Sequence, residues 1–131
     1  MQQDTLEVAQ PLEHLGAIVD LDRLPDGPIL RTNQGALFNA DCLDFLPSVA
    51  DESIDTVFAD PPFNLGKIYG PKVNDALTDQ EYVAWSQKWL DECIRVLRPG
   101  GSLFVYNIPK WNVIYGAHLM ARGMEFRHWI A

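Results

Sequence analysis

The stretch Ile54-Asp55-Thr56-Val57-Phe58-Ala59, running into Asp60-Pro61-Pro62-Phe63, decides how the rest of the chain is read. Its first six residues are mostly apolar and rich in β-branched and aromatic side chains, the mark of a buried strand rather than a helix. The tetrapeptide therefore lies where a strand leaves its sheet, the position at which open α/β folds bind ligands. Neither proline has an N–H, and each drives the residue before it toward extended geometry. The turn consequently displays acceptors only, a carboxylate and backbone carbonyls, with an aromatic face beside them. Such a surface suits a planar group carrying an NH2, such as the edge of a nucleobase.

Downstream, residues 64–77 hold two glycines, a proline and little periodicity, and read as a mobile loop of functional length. Thr78 and Glu81 form a capping-box signature for a helix from Asp79 to about Arg98. Tyr82, Trp85, Trp89, Cys93 and Val96 recur at three- and four-residue steps, so they form a packing face. Arg95 and Arg98 complement the helix dipole, and Pro99-Gly100-Gly101 stops the helix. These glycines lie between a helix and a strand, so they make a cap and turn rather than a phosphate loop. A strand at Leu103–Tyr106, a helix from Trp111 to Arg122 and an alternating third strand at 124–131 complete the pattern. The order predicts an α/β fold with a parallel sheet.

Upstream, Ala36-Leu37-Phe38 reads as a short strand ending in Asn39-Ala40-Asp41. Leu43, Phe45 and Leu46 then suggest one or two helical turns closed by Pro47. Residues 1–35 form an N-terminal arm. Within it Leu12, Leu15, Ile18 and Val19 outline an amphipathic turn, which Pro25, Gly27 and Pro28 interrupt.

The 131 residues suffice for one domain burying roughly two-thirds of its unfolded surface. An apolar fraction of 47% with 21% charged residues is ordinary for a soluble globular protein. No run approaches the ~18 apolar residues of a membrane span, and the first residues, Met1-Gln2-Gln3-Asp4, lack the basic and apolar regions of a signal peptide. A cytoplasmic location, with no membrane partner, is the expectation. Cys42 and Cys93 are too few for a disulfide framework, and His14, His118 and His128 are too scattered for a metal site. The net charge of −8 is uneven: residues 1–60 hold twelve acids against Arg23 and Arg31, while residues 61–131 hold eight Lys or Arg against six acids. The acidic balance argues mildly against nucleic acid, since phosphate contacts normally demand a basic surface.

That objection weakens if the basic surface lies in a part of the protein outside this sequence. Asn39-Ala40-Asp41-Cys42-Leu43-Asp44-Phe45-Leu46, Asp60-Pro61-Pro62-Phe63-Asn64, Arg95-Val96-Leu97-Arg98-Pro99-Gly100-Gly101 and Ser102–Tyr106 together resemble the amino-directed DNA methyltransferases of the permuted beta class. The resemblance covers about residues 36–131. It implies a partial Rossmann-like methyltransferase fold with a mostly parallel sheet. It also implies methyl transfer from S-adenosylmethionine to N6 of adenine, with N4 of cytosine as the alternative, on double-stranded DNA with a flipped target base. The implied catalytic positions are Asp60, Pro61, Pro62 and Phe63. Asp60 and the Pro61 carbonyl would accept from the amine and help its lone pair toward the methyl group. Phe63 would stack on the base. Asp41 with Cys42 would contact the cofactor's adenosine portion, though Asp41 could equally be a helix N-cap. Asn64, Lys67 and Tyr69 would contact substrate.

The family's glycine motif, Phe-x-Gly-x-Gly, does not occur in this chain, and no target-recognition region is recognisable. The expectation is an incomplete catalytic segment at 36–131, marginally stable and nearly inactive alone. Its partner would be a missing C-terminal half or a second copy in a homodimer. A sheet lacking neighbouring strands should show open edges and exposed apolar faces. The competing readings are a methyltransferase of the same fold acting on another substrate, and a non-catalytic partner subunit.

Overall fold

The computed structural model describes residues 15–68, 70–71 and 75–130. It divides into two compact units, Met1–Ala50 and Asp51–Ala131. The expected contribution of Leu12 lies outside the described residues.

In the first unit, helix α1 (Leu15–Ile18) buries Leu15. The following Val19 is also buried and bridges Val49 antiparallel. Asp20 caps a 3-10 turn at Leu21–Arg23, and Arg23 Nη1 donates to the Pro47 carbonyl at 3.0 Å. The supposed arm thus contains ordered structure. It also supplies strand β1 (Leu30–Arg31), which pairs antiparallel with β2 (Ala36–Leu37). The expected strand at 36–38 is therefore one arm of a two-residue hairpin, and Phe38 lies beyond it, its ring 4.8 Å from that of Phe45. Helix α2 (Cys42–Phe45) follows, and Pro47 does not close it but sits inside a 3-10 turn at Leu46–Ser48. There proline's fixed φ and missing N–H are tolerated in the first turn.

The second unit is a strand–helix–strand–helix sequence. Strand β3 (Ile54–Ala59) runs parallel to β4 (Leu97–Val105), with Val57 opposite Leu103, Phe58 opposite Phe104 and Ala59 opposite Val105. Between them lies helix α3 (Asp79–Val96) with the expected reciprocal cap. Thr78 Oγ1 accepts from Glu81 N at 3.2 Å, and Glu81 Oε2 accepts from Thr78 N at 2.9 Å. The Thr78 N–H holds the Glu81 carboxyl below its usual value. Tyr82, Ser86, Trp89, Cys93 and Val96 are buried at alternating steps of four and three, with Leu90 beside Trp89 widening the stripe. Helix α4 (Pro109–Ala121) packs on α3 through Trp111 and Tyr115, with Pro109 at its permissive first position. His118 Nε2 at 2.7 Å and Arg122 Nη2 at 3.0 Å both meet the Asp91 carboxylate and tie the two helices.

Three expectations are corrected here. Helix α3 ends at Val96, and β4 begins at once. Arg98 therefore leaves the helix dipole and pairs with Asp55. Asp55 stands opposite the whole of Arg98-Pro99-Gly100-Gly101, a bulge at which the register slips. Gly100 takes φ +82° there, and a Cβ on Gly101 would meet two backbone oxygens, Arg98 O at 2.9 Å and Asp55 O at 3.0 Å. Residues 124–130 form no strand; they follow a turn at Gly123 and are almost wholly exposed. Alternation produces a strand only beside an edge that can pair with it, and no described edge does so. Ala131 lies outside the described residues.

The sheet has one face toward the helices and one bare face. Phe58, Phe104 and Tyr106 are 70%, 45% and 60% exposed. Apolar exposure of this kind was expected of a sheet with open edges.

Two glycines test this architecture in opposite directions. Gly101→Ala should lower stability by about 1–3 kcal/mol, because the blocking atoms are backbone. Gly116→Ala in α4, where an added Cβ meets nothing within 4 Å, should raise it by about 0.5–1 kcal/mol. Urea midpoints at unchanged slope measure both.

Candidate active site

The ladder ends when Tyr106 N donates to Ala59 O at 2.8 Å, so Asp60 is the first residue off the sheet. Its carboxylate is exposed and takes no hydrogen bond or ion pair among the described residues. It is therefore not the cap of its own turn. The Pro61 carbonyl likewise accepts nothing from the described residues. The next two carbonyls differ. Tyr82 Oη of α3 donates to Pro62 O, and Trp111 Nε1 of α4 donates to Phe63 O at 2.8 Å. Tyr82 and Trp111 are both 2% exposed, and their rings pack 4.6 Å apart. The turn thus hangs between two helices with its inner carbonyls satisfied and its outer acceptors open.

Phe63 is half-buried, and its ring lies 5.6 Å from that of Tyr106 at 55°. This aromatic pair follows the open acceptors by two residues in the chain at Phe63.

The loop at 64–77 is not free at its base. Asp75, 3% exposed, accepts from Asn64 N at 2.8 Å, Leu65 N at 3.0 Å and Lys67 N at 2.7 Å. Its carbonyl takes Gly66 N at 2.7 Å. Asn64, at φ +57°, is engaged at both ends of its amide: Nδ2 donates to Leu77 O and Oδ1 accepts from Leu77 N, each at 2.8 Å. Its side chain therefore closes the loop instead of standing open to a substrate. The side chain of Lys67 is exposed. Tyr69 lies outside the described residues.

Asp41 and Cys42 belong to the other unit. Asp41 Oδ1 accepts from Leu43 N at 2.8 Å and caps α2. The Cys42 side chain is exposed, yet partial desolvation of the sulfur, reinforced by the Asp41 carboxylate, pushes its thiol up. At neutral pH it stays a neutral, weak donor. Among the described residues no cluster of His, Cys, Asp and Glu could hold a metal, and no helix is long and apolar enough to cross a membrane.

A strand-end turn with two open acceptors, a neighbouring aromatic face and a helix-borne support is now defined by its geometry. Residues 54–131, which include all of it, match the family model described as DNA methylase. The chain belongs to this family, the amino-directed DNA methyltransferases. It is 46% identical over 130 residues to the Type II methyltransferase M.BamHI of Bacillus amyloliquefaciens, a match covering 97% of this chain and 30% of that protein. To M.HpaI of Haemophilus parainfluenzae it is 40% identical over 86 residues, covering 65% and 27%. To M.BglII of Bacillus subtilis it is 30% identical over 109 residues, covering 81% and 29%. The chain therefore spans about a third or less of the length of these relatives.

The residue pattern puts Tyr82 in the packing face but assigns no site role to Trp111 or Asp75. A tyrosine or tryptophan at a core position is a usable signal, since its polar atom needs a partner when buried. For Asp75, in a loop of mixed polarity, the sequence offers no such cue.

Asp75→Ala should release the loop. Amide exchange at Asn64, Leu65 and Lys67 should quicken at least about tenfold, since bonds to a charged acceptor are the stronger kind. The interior amides of α3 and α4 should keep their protection, and exchange followed by NMR separates the two.

Proposed function

We propose that this chain is the part of a site-specific DNA methyltransferase that grips the target amine, most favourably N6 of adenine, with cytosine N4 as the alternative. The observation that carries the reading is the contrast at the turn: the Pro62 and Phe63 carbonyls are taken, while the Asp60 carboxylate and Pro61 carbonyl are open.

An exocyclic amine conjugated to its ring is a poor nucleophile. Two acceptors drawing on its two hydrogens favour a pyramidal nitrogen with a directed lone pair. Asp60 then works by orientation and electrostatics and need not be a strong base. Phe63 stacks on the base once it has left the duplex, worth ~1–3 kcal/mol. The exposed Lys67, and Tyr69 two residues on in the sequence, would meet phosphate or close over the site.

The residues fit S-adenosylmethionine in their chemistry, since an open carboxylate and carbonyl favour a neighbouring sulfonium. When bound, that cofactor supplies an electrophilic methyl group. Asp41, through the carboxylate oxygen its helix cap leaves unused, and Cys42 would hold the adenosine portion. The preference for adenine rests on the aspartate that opens the motif. The remaining partners are the rest of a full-length enzyme or a second copy, acting on double-stranded DNA in the cytoplasm.

The test exchanges this chain for the matching 130 residues of M.BamHI and analyses the nucleosides of treated DNA by mass spectrometry. The chimera should methylate an exocyclic amine, and its product names the base. Asp60→Ala should cut the rate at least about a hundredfold. The 131-residue chain alone should yield no product. A chimera indifferent to Asp60→Ala would end this reading, and product from the chain alone would refute its dependence on further residues.

A further inference from the structure

The Tyr82 hydroxyl reaches the turn as the end of a polarised chain, and one backbone group sets the direction of that chain. Ile108 N lies 2.8 Å from Asn107 Oδ1. An N–H must face an acceptor, so the Asn107 amide is oriented with its oxygen there. Its NH2 group then meets two phenols, Tyr82 Oη at 3.0 Å and Tyr115 Oη at 3.3 Å. Each phenol accepts from the amide and retains one proton to give. Tyr115 Oη shares a hydrogen bond with Ser86 Oγ, 2.7 Å away, while Tyr82 gives its proton to Pro62 O. All four side chains are buried, so no water competes to reverse the order. Burial also pushes the Tyr115 phenol up, which keeps its proton in place.

We infer that Asn107 and Tyr82 form a donor relay that positions the reacting turn, drawing the Pro62 carbonyl inward so that only the Asp60 carboxylate and the Pro61 carbonyl face the target amine. The inference rests on the reading of that pair as the amine-binding edge. Neither relay residue touches substrate, so both are positioning residues. Without the Tyr82 hydroxyl, the Pro62 carbonyl would be left without its donor. Turning it toward water relieves that cost and moves the adjoining Pro61 peptide with it. Small misplacement of an acceptor is costly where two must engage one nitrogen.

The test uses the 131-residue chain labelled with 13C and 15N. In the unmutated chain, replacing hydroxyl protons by deuterium should shift the Pro62 carbonyl carbon, an isotope effect through the hydrogen bond that needs no mutation. Tyr82→Phe should abolish it. Asn107→Leu should weaken it with Tyr82 intact, so the test survives if one variant fails to fold. Ser86→Ala, at the far end of the chain of bonds, should leave it. Binding of 2′-deoxyadenosine to the chimera with M.BamHI, followed by saturation transfer, should weaken roughly three- to tenfold when it carries Tyr82→Phe or Asn107→Leu. The double variant should lose no more than the worse single one, as expected of one coupled unit. Absence of the isotope shift in the unmutated chain overturns the relay. Unchanged deoxyadenosine binding in both variants also overturns it, leaving the two residues a role in stability alone. If the isotope effect behaves as expected but deoxyadenosine does not bind, or binds equally to Asp60→Ala, the amine-site reading fails while the relay stands.

Discussion

Two adjacent prolines at the end of β3 create a shortage of donors, and the rest of the second unit is arranged around that shortage. Pro61 and Pro62 bring carbonyls but no N–H, so the turn cannot satisfy itself. Carbonyls that face inward must receive donors from elsewhere. The donors come from Tyr82 on α3 and Trp111 on α4, each a large side chain with a single polar atom at its rim. The crossing of those helices therefore serves the turn as well as the core.

The same constraint separates structural acceptors from functional ones. Every buried carbonyl of the turn must be hydrogen-bonded or the fold bears the cost of an unmet polar group. An exposed acceptor is under no such obligation, because water can satisfy it. Of the four residues only Asp60 is exposed; Pro61, Pro62 and Phe63 are half-buried, and of these the Pro62 and Phe63 carbonyls receive donors. Asp75 applies the same logic to the next segment, gathering the amides that begin the loop around one buried carboxylate. A rigid base thus supports residues with exposed side chains such as Lys67.

Much of this was legible in the residues. The strand at 54–59, the cap at Thr78 and Glu81 and the long helical stripe each rest on local rules, namely β-branched content, reciprocal capping and a period near 3.6. The end of that helix was less legible. Arg98 suits a helix terminus but finds Asp55 across the sheet, a partner distant in sequence. Residues 124–130 alternate as a strand would, yet alternation states only which side chains could share a face. The support of the turn was hidden for the same reason, since Tyr82 and Trp111 look like ordinary core residues until their partners are known.

What the sequence by itself determined is the chemistry of the turn: an acceptor-only edge at a strand end, with an aromatic ring beside it. That follows from covalent facts, the missing N–H of proline and the carboxylate of aspartate, which no folding can alter. What only the tertiary structure decided is which of those acceptors remain open. Tyr82 lies twenty residues from Pro62 and Trp111 forty-eight from Phe63. Hydrogen bonds at such separations exist only once the helices have packed, because burial removes the water that would otherwise serve each group equally well.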